Sequence, residues 1–149
     1  MEIKQAIIND NEILTEITKK SKAYWGYSEE QILKWNDTLT ISKEYVETNS
    51  VFKLMDNDKT IGYYSYLIEK ERNVMLNNLF ILPEYIGKGF GEYLMSDFLN
   101  RMKIEKFEKI TLNSEPNAEN FYLKFGFKKI GELETSIKNR FMPIMEMSL

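Results

Sequence analysis

Residues 74–113 constrain the fold more than any other stretch. Residues 74–82 (VMLNNLFIL) form a nearly continuous apolar run that Pro83 ends, the pattern of a strand buried on both faces. Gly87, Gly89 and Gly91 follow in alternation. Phe90, Leu94, Phe98 and Met102 then recur every four residues, with Met95 and Leu99 beside them. This spacing predicts a helix over 90–103, with Asp97 and Arg101 placed to pair on its outer face. Residues 107–113 (FEKITLN) read as another strand. Strand, helix and strand in that order require a right-handed parallel crossover.

The rest of the chain supplies the remaining elements. Residues 2–8 alternate as a first strand. Asn9 stands three before Glu12, a capping-box spacing, and Ile13, Leu14 and Ile17 follow, so a helix is expected over 10–22. Ser28 with Gln31, then Ile32, Leu33 and Trp35, signals a second helix, and Ser42 to Thr48 a short helical turn. Residues 50–56 and 60–69 read as strands around the turn cluster Asp56-Asn57-Asp58-Lys59. Pro116 suits the first turn of a helix running to Phe125, with Gly126 as its left-handed terminator. Residues 127–133 and 140–148 close the chain as strands. The expectation is a mixed α/β fold with a central sheet of about seven strands and about four flanking helices. A length of 149 residues without a linker or repeat suits one domain, 1–149.

Composition removes whole classes of chemistry. The chain has no Cys, so no disulfide, thiolate nucleophile or Cys-ligated metal is available. It has no His, so acid–base work falls to Asp, Glu, Lys, Tyr or water. No metal site is expected. The net charge of −3 arises entirely within residues 1–75. That balance is unlike the basic footprint of a nucleic-acid binder, and it suits a cationic guest better. No run approaches the ~18 apolar residues of a membrane helix. Met1-Glu2-Ile3-Lys4 enters alternation directly, so no secretory signal and a cytoplasmic location are expected.

Three alternating glycines at the mouth of a helix let the backbone approach a ligand closely. The first helical N–H groups lack internal partners and carry the positive dipole end, so the arrangement suits a phosphate. The other reading is a tight turn whose glycines serve geometry alone. A dinucleotide fingerprint fails because position 92 is Glu, and no G-x-x-x-x-G-K-[ST] is present.

The stretch Ile86-Gly87-Lys88-Gly89-Phe90-Gly91 resembles the R/Q-x-x-G-x-G/A pyrophosphate loop of the GNAT superfamily of acyl-CoA-dependent N-acetyltransferases, with Ile86 in place of Arg or Gln. Ala118-Glu119-Asn120-Phe121-Tyr122-Leu123-Lys124-Phe125-Gly126-Phe127 is similar to that family's A-x-x-F-Y-x-K-x-G-F ending. The resemblance is strong over 74–131 and agrees with the element order of the whole chain. It implies the GNAT fold, with the fourth and fifth strands splayed apart.

It also implies a mechanism. Acetyl-CoA would lie in the splay. Its pantetheine would pair with the main chain of Leu79, Phe80 and Ile81, and its pyrophosphate would meet the amides from Gly87 through Lys88, Gly89, Phe90 and Gly91 to Glu92. Lys88 would add charge or stay a solvated loop lysine. A primary amine of a small molecule or peptide would attack the thioester directly. Tyr122 matches the tyrosine that protonates the departing thiolate, and could equally be a core aromatic. The family often has Asn where Glu115 stands; Asn117 would contact pantetheine or cap the helix. Asn78 would hold substrate or a water. No strand carboxylate offers a base, and Glu69, Glu71 and Glu115 read as solvated surface groups, so the proton is expected to leave through water. Tyr24, Trp25, Tyr27, Trp35, Tyr63 and Tyr64 are core or pocket aromatics, with Trp25 and Tyr27 best placed to line a substrate mouth. A homodimer is among the states the family allows. A second reading is an acyl-CoA-binding sensor of the same fold.

Overall fold

Local chemistry sets most element boundaries. The computed structural model describes residues 1–149. Strand β1 (Glu2–Gln5) is shorter than its alternation suggests. Its continuation is diverted because the Ile7 N–H donates to the Asp10 carboxylate at 2.8 Å, closing a 3₁₀ turn over Ile8–Asp10. Helix α1 therefore starts at Asn11 and runs to Tyr24; Asp10, not Asn9, stands at its N-cap position, and its side chain makes no cap hydrogen bond to the helix. The Ser28 and Ser42 hydroxyls accept the amides of Gln31 and Tyr45, starting α2 (Glu29–Lys34) and α4 (Lys43–Thr48) where the serines indicated. A separate turn, α3 (Asn36–Leu39), lies between them. The strands β2 (Ser50–Asp56), β3 (Lys59–Lys70) and β4 (Asn73–Ile81) follow, then α5 (Phe90–Ile104) and β5 (Lys109–Asn113). The last helix is split. Pro116–Ala118 is a 3₁₀ turn and only Glu119–Lys124 is α-helical (α6). The chain ends with β6 (Lys128–Glu134) and β7 (Phe141–Ser148). Six α-helical segments thus replace the expected four, the surplus being one-turn pieces.

The seven strands form one sheet in the order β1-β2-β3-β4-β5-β7-β6. The parallel β4–β5 ladder joins Asn73–Met75 to Lys109–Thr111 and goes no further, so β4 continues beyond it to Ile81. The chain divides into two compact units. One comprises Met1–Tyr66 with Asn78–Leu99, the other Leu67–Asn77 with Asn100–Leu149.

In the first unit β3 is buried on both faces, with Thr60 through Tyr66 all inside. One face carries Tyr63, whose phenol shares a 2.5 Å hydrogen bond with Thr18 of α1. The other carries Tyr64 and Tyr66, stacked with Phe52 and edged by Phe98 of α5. The Tyr64 phenol donates to Asp97 at 2.7 Å, which turns that carboxylate towards β3. Gly62 sits where β3, β4 and α5 crowd together. A Cβ there would stand 2.9 Å from the Phe80 carbonyl oxygen and 3.3 Å from Leu94.

In the second unit β7 is paired on both sides, with β5 and β6, antiparallel in each case. Ile110, Leu112 and Met145 are buried there. Arg72 anchors the start of β5, its carbonyl accepting the amides of Glu108 and Lys109 and its guanidinium donating to Lys106 O at 2.8 Å.

Replacing Gly62 by Ala would drive a methyl against a backbone oxygen that cannot rotate away. The variant is expected to lose about 1–3 kcal/mol of stability. Urea unfolding would show a lower midpoint at an unchanged m-value.

Candidate active site

The glycine loop is built by what precedes it. The Leu82 N–H donates to Ile61 O at 2.8 Å, holding the exit of β4 on β3. Pro83–Tyr85 then makes a 3₁₀ turn, closed by Tyr85 N–H to Leu82 O and Ile86 N–H to Pro83 O. Gly87 and Gly89 both take left-handed backbone conformations, at φ 81° and 86°, a region costly for other residues. A Cβ on either would meet nothing within 4 Å. The glycines therefore serve backbone conformation and an open surface, and neither is needed to avoid a neighbour. The first i→i−4 bond of the helix joins Tyr93 N–H to Gly89 O. The amides of Phe90 and Gly91 thus belong to the first turn, where a helix has no internal acceptors of its own. Amides at a positive dipole end are donors of the kind an anion accepts.

Lys88 is exposed and pairs with no carboxylate. Its ammonium lies 5.7 Å from the centre of the Tyr85 ring. Lys59, from the far end of the β2–β3 turn, stands 5.5 Å from the same ring. Neither Lys59 nor Tyr85 carried a local sequence signal, because 26 positions separate them and only the fold joins them.

Of the β4 residues, Leu79 and Phe80 are half-buried and Ile81 is buried. The Ile81 carbonyl is occupied by the Ser21 hydroxyl at 2.5 Å, which ties α1 to the end of β4. Asn78 is held by a chain of hydroxyls. Ser65 Oγ donates to Asn78 Oδ1 at 2.6 Å, Tyr45 and Ser65 share a 2.7 Å bond, and the Tyr45 phenol also approaches Asn78 Oδ1 at 3.4 Å. Ser65 is fully buried. No local pattern marked this relay, whose members come from α4, β3 and β4.

The aromatic candidates divide. Tyr63 and Tyr64 are entirely buried and belong to the core. Tyr24 and Trp25 remain exposed, in edge contact with each other at the end of α1. Tyr27 is half-buried against Trp35 at 4.9 Å, and Lys22 lies 5.8 Å from the Trp35 ring.

In the second unit Tyr122 presents a buried ring and an available hydroxyl. The ring packs edge-on against Phe121 and Phe127. The hydroxyl bonds to nothing in the chain and is not sealed from solvent. Burial pushes its pKa above the usual phenol value, and the charge of Glu115 pushes the same way. Glu115 itself differs from the solvated carboxylate expected. It pairs with Arg140 at 2.9 Å, both side chains only 11% exposed, and accepts Asn117 Nδ2 at 2.8 Å. Asn117 is exposed and spends its amide on Glu115, so it does not cap the helix. Arg140 comes from the connection between β6 and β7, 25 positions away, and no sequence pattern marked it. Glu69 accepts Thr111 Oγ1 at 3.2 Å on the surface, and Glu71 is exposed in the β3–β4 turn.

The profile of the acetyltransferase (GNAT) domain matches residues 8–149. The chain belongs to the GNAT acetyltransferase family. Over 99% of its length this GNAT chain superposes on 98% of the PaiA N-acetyltransferase of Thermoplasma acidophilum, solved in complex with coenzyme A, at a TM-score of 0.83 and 25% identity. A GCN5-related N-acetyltransferase from Rhodopseudomonas palustris shares the fold at a TM-score of 0.81 and 18% identity, over 99% of this chain and 95% of that one. In sequence, the chain is 28% identical over 86 residues to an uncharacterized acetyltransferase of Streptococcus pyogenes serotype M1. That match covers 57% of this chain and 61% of the relative, so it spans less than two thirds of the relative's length. No helix of this GNAT chain is long and apolar enough to cross a membrane.

Two outcomes follow from the charges. Arg140→Met would strand a nearly buried carboxylate and is expected to cost about 3 kcal/mol. Glu115→Gln added to it should recover part of that loss in a double-mutant cycle of thermal or urea unfolding. The phenols of Tyr63 and Tyr122 have folded-state pKa values raised above their unfolded values, mainly by burial. Their contribution is complete below the unfolded phenol pKa, about 10, and is lost as pH rises beyond it, by up to ~1.4 kcal/mol per pH unit for each phenol. Urea midpoints should therefore fall above about pH 10, less steeply in Tyr63→Phe.

Proposed function

We propose that residues 1–149 act as one N-acetyltransferase domain, moving the acetyl group of acetyl-CoA to a primary amine of a small molecule or peptide by direct attack. The observation that carries this reading is the open pair of left-handed glycines, Gly87 and Gly89, leading into the first turn of α5. Amides from Gly87 to Glu92 would bind the coenzyme diphosphate. The family resemblance and the coenzyme A complex of the Thermoplasma acidophilum enzyme support that choice of ligand. Beyond the β4–β5 ladder, the main chain at Leu79 and Phe80 would align the pantetheine arm, and an N–H there would polarise the thioester carbonyl. The Ile81 carbonyl is already taken by Ser21, so Ile81 would contribute through its N–H or its side chain.

The acceptor must arrive as a neutral amine. At pH 7 deprotonating an alkyl ammonium costs roughly 4–5 kcal/mol. Glu115 is a poor base because Arg140 and Asn117 already hold its carboxylate. Asn78 cannot accept a proton, but an amide fixed by Ser65 is suited to orient a water or the substrate. The proton would then leave through ordered water. Trp25 and Tyr27 offer aromatic surface on the acidic half of the chain for the amine. Tyr122 would donate its proton to the departing thiolate. Burial keeps the phenol protonated and also makes it a weaker donor, so the transfer would depend on the thiolate's reach to the Tyr122 hydroxyl.

Incubation with acetyl-CoA and a panel of amines, read by thiol release, tests the reading. Tyr122→Phe should lower turnover by about 100-fold while calorimetric affinity for coenzyme A stays unchanged. Unchanged turnover would remove Tyr122 as the acid. Coenzyme binding with no thiol release from any amine would instead favour an acyl-CoA-binding sensor.

A further inference from the structure

We propose that β6 is a pairing edge for a second copy of this chain, the two β6 strands running antiparallel about a two-fold axis at Gly131 so that their sheets join. The coenzyme reading plays no part in this. β6 is the last strand of the sheet and pairs only with β7, so its outer side faces no strand and is a template for another. Six of its seven residues are exposed and Gly131 is half-buried. The strand at the opposite edge, β1, has only four residues. β6 reads Lys-Lys-Ile-Gly-Glu-Leu-Glu. Its cations precede the glycine and its carboxylates follow it.

An antiparallel copy reverses that order. Turned about Gly131, Lys128 and Lys129 of one chain run alongside Glu132 and Glu134 of the other, and the same contacts recur across the axis. A copy running parallel and in register would meet like charges throughout. Within its own chain Lys129 reaches Glu132 at 2.6 Å, whereas Lys128 and Glu134 form no ion pair there. Gly131 brings no side chain to the axis. Lysines, and the register shift between Lys129 and Gly131, ordinarily blunt an edge against chance partners. Here the reversed copy answers each cation with a carboxylate, so the same charges select one partner. Apolar surface also reaches this edge. Ile130 and Leu133 are 57% and 44% exposed. Leu133 lies opposite Met142 and Gly131 opposite Ile144 on β7, so Leu133, Met142 and Ile144 share one face. A two-fold perpendicular to the sheet sets the two apolar strips on the same face of the joined sheet, where pairing removes part of them from water.

Sedimentation velocity on the full chain tests this. The wild type is expected at twice the 17.7 kDa of one chain, with dissociation growing as salt is raised. Lys128→Glu with Lys129→Glu should weaken self-association by about tenfold or more, and so should Glu132→Lys with Glu134→Lys. Mixing these two variants should restore a dimer, because each supplies the sign the other lacks. The chain carrying all four changes keeps the complementary order and should dimerise like the wild type. All four positions are exposed, so each variant should keep the wild-type circular dichroism spectrum. A wild type that stays monomeric at about 100 μM would overturn the proposal. So would a dimer that neither pair of reversals weakens, or reversed variants that fail to combine.

Discussion

Helix α5 can sit where it does because β3 has no side chain at Gly62. The Phe80 carbonyl oxygen and Leu94 occupy the space a Cβ would need. Phe98, one turn further along α5, then fills the step beside Tyr64 and Tyr66. Seating α5 this close sets where the glycine loop between β4 and α5 must run. The placing of the glycine loop is thus tied to core packing. The helix behind it is fixed by apolar contacts of Leu94, Met95 and Phe98, all buried.

The same economy holds on the other face of β3. Thr18 and Tyr63 share a hydrogen bond inside the core, Ser21 caps the Ile81 carbonyl, and Tyr45 and Ser65 direct Asn78. Each is a hydroxyl that would be costly to bury unpaired. Together they fix α1 and α4 against the strands whose main chain is proposed to meet the coenzyme. A chain without His or Cys leans on hydroxyls and amides for this positioning.

Glu115 shows how a departure from a family pattern is accommodated. A carboxylate in place of the usual amide would leave a nearly buried charge beside the Tyr122 ring. Arg140 answers it at 2.9 Å and Asn117 satisfies a further lone pair. Glu115, Arg140 and Asn117 form a three-residue network.

Much of this was legible in the residues alone. Period-four apolar spacing marked α5, the unbroken apolar run marked β4, Ser28 and Ser42 marked two helix starts, and alternating glycines marked the loop, because each depends on neighbours within a few positions. Boundaries drifted where a side chain competed with the backbone, as Asp10 does at Ile7. What the sequence could not supply were the pairings across distance: Lys59 with Tyr85, Ser65 with Asn78, Arg140 with Glu115, and the assignment of Tyr63 and Tyr64 to the core while Trp25 stays exposed. Periodicity and capping are local and are written along the chain. Burial and charge compensation depend on which strands and turns meet in space, and only the folded sheet decides that.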